Sequence, residues 1–211
     1  EWATKGPLPE IFYAHGSCVY DGLIYLFGGN VGGSTVINTV RSYDPSTDTW
    51  NELADMPDSR MKSSVCIYKD EIYLFGGNPS LKYTPSSDSW SELNIGEYEI
   101  DGYSVPILYG DTILLFGGYK YGSNYPNPSN EIWAYYPVWD TLMKLTKEIP
   151  FNRFTGGHKY NNYVYLFGGH FDNTLGSVTD EVWRLPLNSL QSDINKYALK
   201  DNLKFTHIYP N

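Results

Sequence analysis

The sequence predicts an all-β fold built from repeated units, and three observations support this prediction. An apolar run that ends in two glycines occurs four times, with its first glycine at positions 28, 76, 117 and 168. Successive copies are therefore 41 to 51 residues apart, which is the spacing of an array of all-β units. The chain also holds 20 Tyr, 9 Phe and 6 Trp, and only 18% of its residues are charged. This composition is too apolar and aromatic for a disordered chain.

Each unit begins with a predicted hairpin. Its second strand is the apolar run itself, which has the pattern of a buried strand. Short turns rich in Asp, Gly and Asn, such as Asp21-Gly22, precede this run and are typical of hairpins. The first strands are predicted at residues 16–20, 64–68, 105–109 and 156–160.

The two glycines that end each second strand are predicted to be structural. The second glycine can take a positive φ without steric cost, and neither glycine places a Cβ against a neighbouring segment. We therefore expect a special backbone turn in every unit. It is formed by Gly28 and Gly29, Gly76 and Gly77, Gly117 and Gly118, and Gly168 and Gly169.

A second repeated phrase joins the third and fourth strands. The phrase Tyr-x-Pro-Ser-x-Asp-x-Trp occurs at residues 43–50 and 83–90, and a worn copy at 135–142 ends in Leu. Proline fixes φ in the turn, and Ser, Thr and Asp can bond the local backbone. The aromatic residues are predicted to pack between units, so that Trp→Ala should destabilise the fold by about 3–5 kcal/mol. These residues are Tyr43, Trp50, Tyr83 and Trp90, and the third strands are predicted at 39–43, 80–83, 131–135 and 181–185.

Together these features resemble the kelch repeat over residues 2–185. The shared features are the apolar strand, the Gly-Gly pair, the Tyr and Trp seven residues apart, and Arg60 ahead of the next strand. The resemblance implies a kelch-type β-propeller, in which each repeat forms one four-stranded blade around a central channel. The other copies depart from the pattern, because Phe12, Asp101 and Asn152 occupy or approximate the position of the arginine.

The repeats predict a propeller domain over residues 1–188. Trp2 lies ten residues before Phe12, as Trp50 lies ten before Arg60, so residues 1–9 are predicted to be the outer strand of a neighbouring blade. Either this strand closes the ring, or the chain is part of a larger propeller. The blade cores are predicted at about 11–54, 60–94, 101–146 and 153–188.

Residues 189–211 are predicted to be a C-terminal extension outside the repeats. Leu190, Ile194 and Tyr197 have helical spacing, which predicts a short helix within residues 189–200. Beyond it, apolar and polar residues alternate as in a strand, which is expected to be the outer strand of the fourth blade. The apolar or aromatic positions of this strand are Leu203, Phe205, His207 and Tyr209.

Charge and cysteine content limit the possible partners and compartments. The net charge of −9 argues against nucleic-acid binding, which depends mostly on Lys and Arg. No apolar run approaches the length of a membrane span. Cys18 and Cys66 each lie ten residues before the first glycine of their unit, so we expect equivalent buried thiols rather than a disulfide. Free thiols predict an intracellular, cytoplasmic location.

The sequence has no pattern typical of a catalytic or metal site. Its four histidines lack metal-ligand spacing, and no nucleophile elbow, P-loop or dinucleotide motif occurs. Kelch enzymes of the plant specifier type hold iron with Glu, Asp and His spaced by four, but here Val105 follows Glu97 and Asp101. We therefore expect no catalytic residue, metal or cofactor. The alternatives are a propeller enzyme with its active site at the channel mouth, for which His170 is a candidate, and a purely structural domain.

The resemblance also implies where a partner would bind. In kelch domains, contacts commonly come from residues just after Gly-Gly and just before each first strand. We expect a non-catalytic protein-interaction or scaffold module that binds a protein or peptide through these loops, including as a subunit of a larger complex. The insertion at residues 119–129, rich in Tyr, Asn and Pro, is predicted to project and contribute a contact. By position the binding residues are Asn30, Asn78, Tyr119 and His170, with Tyr13, Met61, Lys62, Tyr103, Arg153 and Phe154.

Overall fold

The computed structural model describes residues 1–96, 100–120, 128–150, 154–170 and 177–196, with the backbone alone at residues 101, 154, 155 and 170. Most of the described residues lie in β-strands, and the helical ones among them are two 3₁₀ helices and residues 191–196. The all-β prediction is confirmed. The 3₁₀ helices are Pro85–Ser87 and Leu187–Leu190.

All of the described strands except β9 and β12 lie in four antiparallel sheets in chain order, which are blades 1 to 4. Blade 1 is β1-β2-β3-β4, blade 2 is β5-β6-β7-β8, blade 3 is β10-β11-β13-β14 and blade 4 is β15-β16-β17. The prediction of four blades is confirmed. The strands are β1 (Gly16–Tyr20), β2 (Leu23–Asn30), β3 (Val36–Asp44), β4 (Thr49–Leu53), β5 (Ser64–Tyr68), β6 (Glu71–Phe75), β7 (Leu81–Thr84), β8 (Ser89–Glu92), β9 (Ile100–Gly102), β10 (Val105–Tyr109), β11 (Thr112–Phe116), β12 (Tyr119–Lys120), β13 (Ile132–Tyr136), β14 (Thr141–Lys144), β15 (Phe154–Tyr160), β16 (Tyr163–His170) and β17 (Val178–Pro186).

The chain divides into two compact units. The first, Glu1–Tyr103, contains blades 1 and 2, and the second, Ser104–Asn211, contains blades 3 and 4. Within the first unit blade 1 packs on blade 2, and within the second unit blade 3 packs on blade 4.

The first hairpin of each blade has the geometry that its turn residues predict. In blade 1, Tyr20 pairs with Leu23, so the loop consists of Asp21 and Gly22 alone. Both loop residues have positive φ, at 48° and 77°. Two such residues match the twist of the flanking strands, which is why Asp-Gly is favoured there.

The Gly-Gly pair is needed because another segment approaches it closely. An ideal Cβ on Gly28 would lie 2.2 Å from the carbonyl oxygen of Arg60 and 2.9 Å from Cε of Met56. Both belong to the segment that leads from blade 1 to blade 2. The amide of Gly29 donates to the same Arg60 carbonyl at 2.9 Å. In all four pairs both glycines have positive φ, between 56° and 117°, so the conformational requirement applies to the first glycine as well as the second.

A tyrosine–aspartate hydrogen bond closes the turn between the third and fourth strands. The hydroxyl of Tyr43 donates to Asp48 at 2.5 Å, and that of Tyr83 donates to Asp88 at 2.6 Å. The worn third copy keeps the bond, at 2.8 Å from Tyr135 to Asp140. These tyrosine rings are buried, so their hydroxyls need a partner. The aspartate of the phrase therefore serves the tyrosine side chain as well as the turn.

The core of the first unit lies between blades 1 and 2. Phe27 of blade 1 is fully buried beneath Tyr83 and Trp90 of blade 2, and the Trp90 ring meets it edge-on at 5.9 Å. The indole of Trp90 also donates to the carbonyl of Ala54 at 2.8 Å. Trp90 therefore packs between blades, as predicted.

Trp50 occupies the same position in blade 1 but has a different neighbour. Its ring packs on Tyr43 at 4.8 Å, and its indole donates to the carbonyl of Gly6 at 3.4 Å. The backbone amide of Gly6 in turn donates to Asp48 at 2.8 Å. Trp50 thus contacts the N-terminal segment, which replaces a preceding blade at this surface of the first unit.

The core of the second unit lies between blades 3 and 4. Phe116 and Ile132 of blade 3 are buried in one cluster with Val164 and Leu166 of blade 4. The turns after β17 complete this core, because Leu187, Leu190 and Ile194 are buried in the same cluster. The predicted helical spacing of Leu190 and Ile194 is present, although the helix begins with the 3₁₀ helix Leu187–Leu190.

Two predicted outer strands are not assigned. Residues 1–8 lie in no strand, and the side chain of Trp2 is fully exposed, so their membership of a neighbouring blade stays a prediction. The predicted strand through Leu203 and Tyr209 lies outside the described residues. Blade 4 accordingly has three strands in the part of the chain that the structure describes.

The two cysteines are free, as predicted. Cys18 lies in β1 and Cys66 at the equivalent position of β5, and the former is half-buried while the latter is buried. Burial raises the pKa of each thiol to about 12, so both are protonated near neutral pH.

We predict that Gly28→Ala destabilises the first unit much more than Gly33→Ala. The two glycines have nearly the same φ, 59° and 58°, but nothing lies within 4 Å of an ideal Cβ on Gly33. Gly33→Ala should cost about 1–2 kcal/mol from backbone strain alone. Gly28→Ala should cost about 3–4 kcal/mol, because it also displaces the Arg60 carbonyl. Equal losses in chemical denaturation would contradict the role assigned to the close approach.

We predict that Trp90→Ala destabilises more than Trp50→Ala. Trp90 covers the buried Phe27, so its loss leaves a cavity between blades and should cost about 3–5 kcal/mol. Trp50 packs against the N-terminal segment, and its loss should cost about 1–2 kcal/mol. Thermal and urea unfolding of the two variants measure the difference, and a reversed order would be inconsistent with the packing described above.

Candidate functional site: the mouth series

Left-handed residues precede the first strands of three blades. Ala14, Lys62 and Tyr103 each lie two residues before a first strand and have φ of 57°, 65° and 57°. Such a conformation is uncommon for residues other than glycine and persists when the surroundings hold it in place. The recurrence of this conformation two residues before the first strand indicates that the surrounding structure imposes it in the same way in all three cases.

Backbone hydrogen bonds connect these residues within the first unit. The amide of Lys62 donates to the carbonyl of Ala14 at 2.6 Å, and the amide of Tyr103 donates to the carbonyl of Lys62 at 3.0 Å. Tyr13 and Asn30 exchange two further backbone bonds, at 3.0 and 2.8 Å. We name Tyr13, Ala14, Lys62 and Tyr103 the mouth series, in which Ala14, Lys62 and Tyr103 are joined by hydrogen bonds and Tyr13 is the chain neighbour of Ala14. It lies at the Gly-Gly end of the blades.

The approach of these segments is so close that a glycine is needed beside Tyr103. An ideal Cβ on Gly102 would lie 2.5 Å from the carbonyl oxygen of Lys62. Main-chain contacts therefore fix the mouth series, and these contacts do not depend on which side chains the residues carry.

The aromatic side chains of the mouth series are exposed. Tyr13 is 56% exposed and Tyr103 is 38% exposed. The ammonium group of Lys62 lies 5.6 Å from the centre of the Tyr103 ring, in a cation–π contact. Ile11, two residues before Tyr13, is also exposed. The surface thus combines two tyrosines, an aliphatic residue and a cation.

The buried side chain of Arg60 stabilises the loops next to this surface. Its side chain is buried and donates from Nη1 to the carbonyl of Gly76 at 3.2 Å and from Nη2 to that of Pro79 at 2.8 Å. It also forms an ion pair with Asp58, in which Nε and Nη2 both donate to Oδ1 of the carboxylate and Nε lies 3.0 Å from that oxygen. Arg60 therefore ties the Gly-Gly loop of blade 2 to the segment that enters the blade.

Comparison with known proteins identifies the repeat. The profile described as Kelch motif matches residues 12–57, which hold blade 1 and the start of the linking segment. Kelch-like protein 38 of Rattus norvegicus is 24% identical over 189 residues, which cover 85% of this chain and 31% of that protein. Beta-scruin of Limulus polyphemus is 32% identical over 65 residues, which cover 31% of this chain and 7% of that protein. Residues 12–57 therefore carry a kelch motif, and the chain is similar to kelch-repeat proteins.

The kelch assignment agrees with the fold. The chain spans less than a third of the length of either relative. A solved structure of YjhT aligns with a TM-score of 0.71 at 17% identity, covering 87% of this chain and 65% of that chain. This likeness shows the fold, and the prediction of a kelch-type β-propeller is confirmed.

The kelch positions after Gly-Gly differ in their accessibility. Asn30 is only 4% exposed, and its side chain closes its own loop by accepting from the amide of Gly32 at 2.7 Å and donating to the carbonyl of Gly33 at 3.3 Å. Tyr119, in β12, is buried as well. Asn78 is exposed. Asn30 therefore has a structural position, because Gly32 and Gly33 of its own loop bond its side chain.

The remaining predicted contact residues stay predictions. Arg153 and residues 121–127 of the third insertion lie outside the described residues. For Phe154 and His170 the backbone alone is described, in β15 and β16. The structure therefore brings together Tyr13, Lys62 and Tyr103.

His15 lies next to the mouth series and is neutral near pH 7. Its ring packs edge-on against Phe12 at 5.1 Å. Burial lowers the pKa of His15 from its usual value, because the charged form is poorly solvated there. Its position favours a packing role over a role in binding an anion.

The described residues contain no group of three or more His, Cys, Asp or Glu side chains placed to hold a metal ion. Their helices also include none of the length and hydrophobicity needed to cross a membrane.

We predict that Arg60→Lys destabilises more than Arg41→Lys. Both arginines are buried, but Arg41 donates to Thr39 at 3.1 Å and to Glu10 at 3.4 Å, whereas Arg60 serves two carbonyls and a carboxylate. A lysine cannot reproduce the planar fork, so Arg60→Lys should cost about 2–3 kcal/mol and Arg41→Lys about 1 kcal/mol. Urea unfolding would contradict the assignment if Arg41→Lys were the more damaging change.

Proposed function

We propose that this kelch propeller is a non-catalytic protein-interaction module that binds a protein or peptide segment through the mouth series. The observation that carries the proposal is the exposure of Tyr13 and Tyr103 on a hydrogen-bonded backbone, in which Tyr13 bonds Asn30 of blade 1 and Tyr103 bonds Lys62. The proteins of similar sequence support the same proposal, since they include Kelch-like proteins and scruin.

The chemistry of the mouth series suits recognition of a polypeptide. Tyrosine offers a large contact area and one polar group, and it is enriched among residues that dominate binding energy. Because the main chain is fixed before binding, little conformational entropy remains to be lost. Lys62 adds a cation that can meet a carboxylate or a carbonyl group of the partner.

A scaffold or complex subunit is the context that we propose for this module. An intracellular location is part of the proposal, and the two free cysteines support it.

The test is purification of the native protein with its partners, followed by affinity measurement. Tyr13→Ala and Tyr103→Ala should each weaken binding of the identified partner by about tenfold or more. Tyr160→Ala is the matched control, because Tyr160 is also exposed but lies at the hairpin end of blade 4. It should leave the affinity unchanged, and all three variants should unfold within a few degrees of the parent.

Two outcomes would overturn the proposal. One is a partner whose affinity is the same for the parent, Tyr13→Ala and Tyr103→Ala. The other is a native protein that carries no protein partner and turns over a bound small molecule.

A further inference from the structure

A cavity of about 520 Å³ lies at the hairpin end of blade 3, within the second unit. Its walls come from the turn between β10 and β11, the turn between β13 and β14, and the helical residues 191–196. This volume is in the range of about 300–1,000 Å³ that is typical of small-molecule sites. The lining includes three aromatic rings, one carboxylate and two amides, which belong to Tyr109, Tyr136, Trp139, Asp111, Gln191 and Asn195.

The aromatic side chains from the second of these turns are not required by the turn itself. Blade 3 has Tyr136, Val138 and Trp139 where the same turn of blade 1 has Asp, Ser and Thr and that of blade 2 has Thr, Ser and Ser. All three turns close with the same tyrosine–aspartate hydrogen bond, and the aspartate has φ between 47° and 59° in each. The change to aromatic and aliphatic residues therefore needs another explanation.

Packing against the helical segment explains Tyr136 but leaves part of Trp139 uncovered. Tyr136 is buried, and its hydroxyl donates to the carbonyl of Ile194 at 3.2 Å. The ring of Trp139 packs on that of Tyr136 with centroids 5.5 Å apart, yet Trp139 is only half-buried. Trp139 is therefore held in place by Tyr136 while it presents surface to the cavity.

The turn between β10 and β11 supplies the third ring. Tyr109 is half-buried, and Nζ of Lys159 lies 6.0 Å from the centre of its ring, which is the distance of a cation–π contact. Lys159 is exposed and donates to the carbonyl of Leu108 at 3.1 Å, so solvent screens its charge. The Tyr109 ring is thus accessible to a positive charge.

The charge of the lining favours a cation. Among the described residues that line the cavity, Asp111 carries the only charge, and it is exposed in the hairpin turn. The two amides are held by each other, because Gln191 donates to Asn195 at 2.8 Å. A carboxylate beside the electron-rich faces of aromatic rings attracts a positive charge and disfavours an anion.

We propose that this cavity binds a small organic cation with a quaternary ammonium group. Such a group has no N–H donors, so it can leave water for an apolar wall without losing hydrogen bonds that the wall cannot replace. Trp139 and the two tyrosines provide ring faces for the cation, and Asp111 balances its charge. The proposal is independent of the mouth series, which belongs to the first unit.

The test is isothermal titration calorimetry of the 211-residue chain with choline. The neutral isostere of choline, a dimethylbutanol in which carbon replaces nitrogen, is titrated in parallel because it has the same shape without the charge. We expect saturable binding of choline, and binding of the isostere that is about tenfold weaker or more. Equal affinities for the two ligands, or no saturable binding of choline, would overturn the proposal.

Two variants locate the binding at this cavity. Trp139→Leu keeps an apolar side chain but removes the ring, and Asp111→Asn removes the charge, so each should weaken choline binding by about fivefold or more. Asp70→Asn is the matched control, because Asp70 is exposed at the equivalent position of the blade 2 hairpin and should not affect choline. Circular dichroism checks that all three variants are folded. Choline affinity that both cavity variants leave unchanged would place the cation elsewhere and contradict the assignment.

Discussion

The carbonyl group of Arg60 is the point on which the first unit depends. It lies where a side chain on Gly28 would stand, and it accepts a hydrogen bond from Gly29. Through this contact the segment linking blades 1 and 2 passes directly over the end of β2. The Gly-Gly pair therefore sets where the next blade begins, and the buried contact between Phe27 and Trp90 follows from that placement.

The same contact positions the candidate site. Because Arg60 is fixed, Lys62 can bond Ala14, and Tyr103 can bond Lys62. Left-handed backbone at a residue other than glycine costs about 1 kcal/mol or more, and these inter-blade bonds keep it populated. The packed strands of the first unit thus position the loops, whose side chains can vary without disturbing the core. Binding residues of proteins are commonly found on loops positioned in this way.

Much of this architecture could be predicted from the sequence because it is local and repeated. The hydrophobic pattern predicts the first strands of blades 1 to 3 and the burial of Tyr83. Turn chemistry predicts the Asp21-Gly22 turn. The burial of Asn30 could not be predicted, because it depends on how residues 31–35 fold back over that side chain. The difference between Trp50 and Trp90 could not be predicted either, since identical phrases meet different neighbours.

Backbone hydrogen bonds between segments hold Lys62 and Tyr103 of the mouth series in place, and amide hydrogen exchange can show whether they do. We expect the amides of Gly29, Lys62 and Tyr103 to exchange only when the unit unfolds, with protection equal to the global free energy of unfolding. The amide of Gly22, in an exposed hairpin turn, provides the comparison for a loop residue. Exchange of Lys62 and Tyr103 as fast as that of Gly22 would contradict a fixed surface and leave only mobile loops at this end of the blades.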